Sequence, residues 1–270
     1  MVTEGIFEVP GAELAYTQQG NGPLLFLVGA PVGRSGFAAL AERLATNFTV
    51  ITHDPRGIGA STGGDNGPVT PALLATDLLA LIQQQQPEEP VLLFGASGGA
   101  VTGIELLTQH PEIVGLLVVH EPPLFTLLPD ADAVMPHAEA AFQLAPSNPQ
   151  AAVQAFADLT EALHHTTVLL PRPPRVILPA LPAAELEKNR FFLGQMAPET
   201  VRYRPQIDRI PTTKLRLAAG ESSVGQPARQ ATVQLAEALN LPLLNAPGNH
   251  LGIGETERFA NWLIAVLAGS

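Results

Sequence analysis

Short, continuous apolar runs that alternate with helical patterns constrain the fold more than any other feature of the sequence. Four runs lie in the first half of the chain, at Leu24–Val28, Thr49–Thr52, Val91–Phe94 and Leu116–Val119. A strand that is apolar without alternation is buried on both faces, which is typical of a parallel sheet. Helical patterns separate the runs, over Gly36–Thr46, Pro71–Gln84 and Gly99–His110. The alternation predicts a doubly wound α/β sheet.

The alternation is preceded by a hairpin and interrupted by one long insert. Ile6–Val9 and Glu13–Gln18 read as two antiparallel strands. Residues 124–211 contain helical patterns and proline clusters, and no convincing strand. The alternation then resumes, with strands at Leu215–Ala219 and Leu241–Asn245 and helices at Gln226–Leu239 and Glu255–Leu267. We therefore predict a core formed by residues 1–123 and 212–270, interrupted by a helical cap at 124–211.

Composition excludes several functions. Acidic residues outnumber basic ones by 25 to 14, and aromatic residues make up only 5% of the chain. Neither phosphate neutralisation nor base stacking is favoured in such a chain, so we expect no nucleic-acid partner. Cysteine is absent, which excludes disulfides, a thiolate nucleophile and Cys-ligated zinc.

No targeting or membrane segment is expected. The first ten residues carry two glutamates and no basic residue, unlike a signal peptide. Apolar stretches such as Leu24–Val28 and Trp262–Ala268 are much shorter than the roughly 18–20 residues of a membrane helix. We therefore expect a cytoplasmic protein without a membrane partner. Homodimers are common among soluble proteins, so a homodimer is one candidate for its assembly, and the sequence does not supply the oligomeric state.

The strongest chemical signal is the pentapeptide Gly95-Ala96-Ser97-Gly98-Gly99 between a predicted buried strand and a predicted helix. It matches G-x-S-x-G in the strand–turn–helix context that gives this motif its meaning. The small residues allow a sharp, strained turn that exposes the Ser97 hydroxyl. The helix that follows directs its unpaired N–H groups and positive dipole end toward the same place. Ser97 is therefore the candidate nucleophile.

On these residues the chain resembles the α/β-hydrolase superfamily over nearly its whole length. The resemblance implies a mostly parallel sheet of eight strands, with helices on both faces and a helical cap. The segment 54–61 matches the family turn D-x-R-G-x-G-x-S. We assign Asp54 and Arg56 a structural role in bracing that turn. The segment Gly29-Ala30-Pro31 stands where the family has H-G-x-P, with Val28 at the histidine position.

The resemblance also implies a base and an oxyanion hole. His250 lies between the last predicted strand and the last predicted helix, where the family places its catalytic histidine. A serine hydroxyl needs such a base, with a pKa near neutrality, within hydrogen-bond reach. By position, the backbone N–H groups of Ala30 and Gly98 would form the oxyanion hole. Loss of one such donor typically lowers the rate roughly 10²–10³-fold.

The third triad member departs from the common pattern. The family usually carries an aspartate after its seventh strand, where this chain has Ser223. Some relatives, including haloalkane dehalogenases, carry the acid after strand six, and Glu121 occupies that position here. Its role would be to fix the tautomer of His250 and stabilise the imidazolium ion. Glu221 remains the alternative acid, because sequence alone does not settle the geometry.

These residues predict a serine hydrolase that cleaves a small, largely apolar ester or related acyl compound through an acyl-enzyme, without metal or cofactor. A serine nucleophile disfavours haloalkane and epoxide hydrolysis. Carbon–carbon bond hydrolysis, cofactor-free perhydrolysis and a non-catalytic ligand-binding protein remain alternatives.

Phe125, Leu128 and Phe191 are candidate pocket residues, although the insert's aromatic residues would equally suit a core of its own. Arg172, Arg175 and Arg190 are candidate anchors for a substrate carboxylate.

Overall fold

Eight strands form one sheet in a computed structural model of the protein, which describes residues 2–63, 67–162 and 177–269. The strands are β1 Val2–Val9, β2 Ala12–Gln19, β3 Leu24–Ala30, β4 Thr49–His53, β5 Val91–Ser97, β6 Val114–His120, β7 Leu215–Gly220 and β8 Leu243–Ala246. Their order is β1-β2-β4-β3-β5-β6-β7-β8. The β1–β2 and β2–β4 pairs are antiparallel and the other pairs are parallel. The predicted hairpin and mostly parallel sheet are confirmed.

Helices cover both faces of the sheet. They are α1 Arg34–Leu44, α2 Pro71–Gln84, α3 Gly98–Gln109, α4 Ala131–Leu144, α5 Pro149–Ala162, α6 Ala183–Phe191, α7 Ala197–Arg202, α8 Pro227–Leu239 and α9 Thr256–Ala268. Side chains of a strand alternate between faces. Leu25 and Leu27 accordingly pack with α1 and α9, while Phe26 and Val28 pack with α2, α3 and α8.

The insert, residues 124–211, contains helices and irregular segments, and no strand among its described residues. It contains α4 to α7, and a π-helical turn at Phe192–Met196 joins α6 to α7. Phe125, Val134 and Phe142 of the insert belong to the same buried cluster as sheet residues. The insert therefore packs directly on the core. Arg172 and Arg175, two of the candidate anchors for a substrate carboxylate, lie outside the described residues.

Asp54 and Arg56 brace the turn after β4 as predicted. Asp54 accepts hydrogen bonds from the backbone N–H groups of Arg34 and Ala60, at 2.8 and 3.0 Å. Arg56 donates two hydrogen bonds to Asp77 of α2, at 2.9 and 2.7 Å, and both side chains are buried. Burial raises the pKa of Asp77 by more than its bonds to Arg56 lower it. The pair therefore holds α2 to the turn at a considerable desolvation cost.

The last strand begins two residues later than the sequence pattern predicted. Asn240 adopts a left-handed conformation, with φ of 51°, at the end of α8. The N–H of Leu241 then donates to the carbonyl of Ala236, at 2.9 Å. Leu241 is therefore occupied in ending the helix, and the strand starts only at Leu243.

Among the helices of the described residues, none is long and apolar enough to cross a membrane.

The first prediction concerns the buried ion pair between Arg56 and Asp77. Asp77→Asn keeps the side-chain shape but leaves the Arg56 charge buried without a counter-ion, so the free energy of unfolding should fall by about 3–5 kcal/mol. Glu139→Gln is the matched control, because it breaks the exposed Glu139–Arg202 pair and should cost less than about 1 kcal/mol. Urea unfolding of both variants checks this. Equal losses in the two variants would contradict the role given to the buried pair.

Candidate active site

Ser97 lies at the junction of β5 and α3 in a strained conformation, with φ of 54° and ψ of −124°. The glycines that follow it allow α3 to start against β3. A Cβ on Gly98 would lie 2.5 Å from the Ala30 carbonyl oxygen, and one on Gly99 would lie 2.1 Å from that of Val28. Because no larger residue fits at either position, the glycines of the motif are required by packing. The predicted strand–turn–helix context of Ser97 is confirmed.

His250 connects Ser97 to Glu121. Its Nε2 atom is 3.1 Å from Ser97 Oγ, and its Nδ1 atom is 2.8 Å from a Glu121 carboxylate oxygen. His250 lies in the loop between β8 and α9, and Glu121 directly follows β6. The ring is partly exposed, whereas the carboxylate is fully buried. The structure therefore brings together the three residues that the sequence pointed to as nucleophile, base and acid.

The Glu121 backbone is strained, and its carboxylate is firmly held. Its φ is +49°, a left-handed value that is uncommon for a residue other than glycine. Its N–H donates to the carbonyl of Ala218, at 3.1 Å, and its second carboxylate oxygen accepts from the N–H of Gly220, at 2.8 Å. These bonds fix the side chain between the ends of β6 and β7, where it meets His250.

The ionised form of Glu121 is favoured in spite of burial. Burial is the largest single influence and by itself would raise the pKa of Glu121. The hydrogen bond and charge of His250 oppose it, with smaller contributions from His120 and Ser223, so that the pKa lies below its ordinary value. A carboxylate facing Nδ1 favours the tautomer whose Nε2 accepts a proton from serine. The electrostatics therefore suit a general base at His250.

The alternative acid, Glu221, lies away from this network. It is exposed and forms an ion pair with Arg258, with 2.7 Å between the charged atoms. Ser223, at the usual aspartate position, is fully buried and close enough to Glu121 to favour its ionised form. The carboxylate bonded to His250 is therefore that of Glu121.

A cavity of about 360 Å³ opens above Ser97. Ala30 and Gly98 line it beside the hydroxyl, and β3 and β5 pair with Ala30 opposite Ser97. The described lining residues are Ala30, Pro31, Val32, Ala96, Ser97, Gly98, Pro123, Phe125, Phe156, Thr160, Phe192, Ala197, Thr200, Val201, Gln226, Pro227, Ala228, Asn249, His250, Leu251 and Ile253. None of these carries a permanent charge.

Only one of the three predicted pocket residues lines this cavity. Phe125 does, whereas Leu128 is buried in the main core. The Phe191 ring packs instead against the turn after β4, close to Gly57. Phe156 and Phe192 are the other aromatic residues among the described lining. The prediction was wrong for Leu128 and Phe191, because a helical pattern does not tell which apolar face meets the cavity.

Arg190, the candidate carboxylate anchor within the described residues, also lies away from the cavity. Arg190 donates to the Pro146 carbonyl, at 2.8 Å, and pairs with Glu187 on the surface. Sequence reasoning missed Gln226 and Pro227 at the start of α8 and Leu251 beside His250. The available signal was their position after β7 and β8, since ligands bind at the carboxyl ends of parallel strands. Within the described residues, no group of three or more His, Asp or Glu side chains is placed to hold a metal ion.

Comparison with known proteins identifies the family. The model of the Hydrolase_4 family, described as serine aminopeptidase, S33, matches residues 27–168, just over half of the chain. The chain belongs to this family of α/β hydrolases. The matched range includes Ser97 and Glu121, and His250 lies beyond it.

One relative is similar to this α/β hydrolase in sequence, and two solved structures share its fold. The hydrolase YraK of Bacillus subtilis (strain 168) is 34% identical over 128 residues, which are 47% of this chain and 47% of that protein. The match thus spans about half the length of that relative. A thermophilic esterase from Thermogutta terrifontis is similar with a TM-score of 0.70 and 19% identity, covering 100% of this chain and 98% of that one. The enol-lactonase from Burkholderia xenovorans LB400 has a TM-score of 0.69 and 20% identity, covering 98% and 100%.

A second histidine lies under the site of this α/β hydrolase. His120 ends β6, is fully buried, and has no hydrogen-bond partner for either ring nitrogen among the described residues. Its ring centre is 6.4 Å from that of His250 and 5.5 Å from that of Phe259, which it meets edge-on. Burial lowers the pKa of His120 to about 4, although the charge of Glu121 opposes this. The imidazole is therefore neutral at neutral pH.

The buried imidazole makes the protein sensitive to acid. The unfolded chain binds a proton at His120 near pH 6.5, whereas the folded chain resists it until a pH of about 4. The free energy of unfolding therefore decreases as the pH falls from 6.5 to about 4, because the unfolded chain binds this proton more readily than the folded chain. From about pH 7 to about pH 5, His120→Phe should lose about 2 kcal/mol less stability than the wild type. Urea unfolding at the two pH values checks this, and identical losses would contradict it. Buried His53, whose pKa is also about 4, leaves part of the sensitivity in both proteins.

Proposed function

We propose that this α/β hydrolase is a serine hydrolase that cleaves a small, largely apolar ester or related acyl compound through a Ser-His-Glu triad. The observation that carries the proposal is the continuous chain of hydrogen bonds from Ser97 through His250 to Glu121, at 3.1 and 2.8 Å. A hydroxyl, an imidazole and a buried carboxylate in this order are the parts that nucleophilic acyl transfer requires.

In the proposed first half-reaction, Ser97 attacks the substrate carbonyl carbon while its proton passes to Nε2 of His250. Glu121 stays ionised and stabilises the imidazolium ion through Nδ1. The backbone N–H groups of Ala30 and Gly98, which line the cavity beside Ser97, stabilise the oxyanion of the tetrahedral intermediate. Collapse of the intermediate expels the alcohol, which takes the proton from His250.

In the second half-reaction, water attacks the acyl-enzyme. His250 takes a proton from this water, and the acid product leaves as Ser97 regains its proton. Every step is a proton transfer or an acyl transfer, so the described residues carry the reaction without a further group.

The cavity supports an uncharged substrate. Its described lining is mainly Ala, Pro, Val and Phe side chains without a permanent charge. Burying a charged group against such a wall without a partner is costly, whereas an apolar acyl group gains from leaving water. The volume of about 360 Å³ lies at the lower end of typical ligand sites, which favours a small compound. The fold shared with an esterase and an enol-lactonase agrees with acyl chemistry.

Hydrolysis of p-nitrophenyl acetate and butyrate tests the triad. Ser97→Ala should lower kcat by a factor on the order of 10⁶, because it removes the nucleophile. Glu121→Gln should lower it roughly 10⁴-fold. The N–H of Gly220 would retain the amide oxygen of the new glutamine, which turns the NH₂ group toward Nδ1 of His250. That arrangement favours the tautomer with a proton on Nε2, which cannot accept one from serine.

Glu221→Gln is the matched control, since it makes the same chemical change at an exposed ion pair and should leave kcat near the wild-type value. A fluorophosphonate probe provides a readout that is independent of substrate choice. It should label the wild type stoichiometrically and leave Ser97→Ala unlabelled. Unlabelled wild-type protein without Ser97-dependent turnover would favour a non-catalytic ligand-binding protein instead.

A further inference from the structure

Among the described residues that line the cavity, one polar side chain has hydrogen-bonding groups that no other described residue uses. Besides Ser97 and His250, its described polar lining residues are Thr160, Thr200, Asn249 and Gln226. The Thr160 hydroxyl donates to the Ala157 carbonyl within α5, and the Thr200 hydroxyl donates to the carbonyl of Met196, the residue before α7, each at 3.0 Å. The Asn249 amide oxygen accepts from the N–H of Leu251, at 2.9 Å. The Gln226 amide has no hydrogen bond to any described residue.

The backbone of Gln226 is fixed although its amide is free. Its N–H donates to the carbonyl of Ser223 and its carbonyl accepts from the N–H of Gln230, both at 2.9 Å. The residue is the N-terminal cap of α8, but its side chain takes no part in capping. The residue is half-buried and lines the cavity beside Pro227 and Ala228. A fixed backbone thus places at the cavity wall an amide whose two N–H donors and one acceptor oxygen are not used by any described residue.

We infer that Gln226 is a specificity-determining residue that binds a neutral oxygen function of the substrate, several bonds away from the scissile carbonyl. The inference rests on the proposed function and narrows its substrate class, from plain alkyl esters to esters that carry an ether, hydroxyl or keto oxygen. A neutral group fits better than a carboxylate, because no described lining residue carries a permanent positive charge. The rest of the described wall is largely apolar and offers such an oxygen few competing partners.

The expected effect is set by one neutral hydrogen bond. Such a bond changes the ratio of kcat/KM values between two matched substrates by roughly 2- to 12-fold. The two substrates of a pair differ only in an oxygen that replaces a methylene group. The comparison must therefore use substrates of equal length and shape. The ratio of their kcat/KM values, taken in two proteins, cancels differences in intrinsic reactivity.

The acyl-side arm uses three matched pairs of p-nitrophenyl esters: methoxyacetate with butyrate, 3-methoxypropionate with pentanoate, and 4-methoxybutyrate with hexanoate. The alcohol-side arm compares 2-methoxyethyl butyrate with butyl butyrate, followed by titration of released acid. Gln226→Leu removes the amide at nearly constant shape. In at least one pair it should lower the ratio of oxygen-containing to alkyl substrate by roughly 3- to 10-fold. The responding arm tells which side of the ester Gln226 faces.

Gln230→Leu is the matched control, one turn along α8 and outside the described cavity lining, and it should leave every ratio unchanged. A structural defect in Gln226→Leu would lower kcat/KM for both members of a pair and leave the ratio unchanged. Unchanged ratios in both arms, with Ser97-dependent turnover of the alkyl esters intact, would overturn this inference and leave the proposed function standing. Absence of Ser97-dependent turnover on every ester would overturn both.

Discussion

The close approach of α3 to β3 is the contact on which the rest of the site depends. The first turn of α3 is so near the end of β3 that a Cβ on Gly98 or Gly99 would overlap a carbonyl oxygen. Ser97 must therefore turn from strand to helix within one residue, and its φ of 54° stores strain of about 1–3 kcal/mol. The sheet on one side and the helix on the other hold that strain in place. The same contact sets the N–H of Gly98 beside Ala30, so the position of the proposed nucleophile and of its proposed donors has one physical origin.

A second constraint concerns the charge placed under this turn. Glu121 is fully buried, and an isolated carboxylate there would take up a proton to avoid the loss of hydration. Hydrogen bonds from the Gly220 N–H and from His250 replace water on both of its oxygens. Both partners come from elements far along the chain, so the acid remains ionised only when β7 and the loop after β8 are in place. The electrostatics of the proposed triad are thus a consequence of the complete sheet rather than of the 24-residue segment that joins Ser97 to Glu121.

The sequence predicted correctly those features that depend on neighbouring residues, such as the ends of a helix or the turn at a motif. The bounds of α2 agree with the prediction because Thr70 accepts a hydrogen bond from the Leu73 N–H and Pro71 is the first helical residue, both strong start signals. Ser97 and His250 followed from motif and position. The choice between Glu121 and Glu221 needed geometry, because both stand beside strand ends. The errors at Leu128 and Phe191 have the same origin: periodicity identifies an apolar face and gives no information about which cavity or core that face meets.

The position of the acid also affects the opposite wall of the cavity. Where a carboxylate follows β7, the loop after that strand must carry it to the histidine. In this chain Glu121 reaches the same ring nitrogen from the end of β6, and Gly220, the last residue of β7, donates its N–H to the other carboxylate oxygen. The loop after β7 instead buries the small Ser223 and, three residues later, places Gln226 at the cavity. An acid at the end of β6 thus separates two proposed tasks: the end of β6 serves the proposed proton relay, and the segment after β7 is free to contact the proposed substrate. Changes in substrate preference at the start of α8 would then leave the hydrogen-bond chain from Ser97 to Glu121 undisturbed.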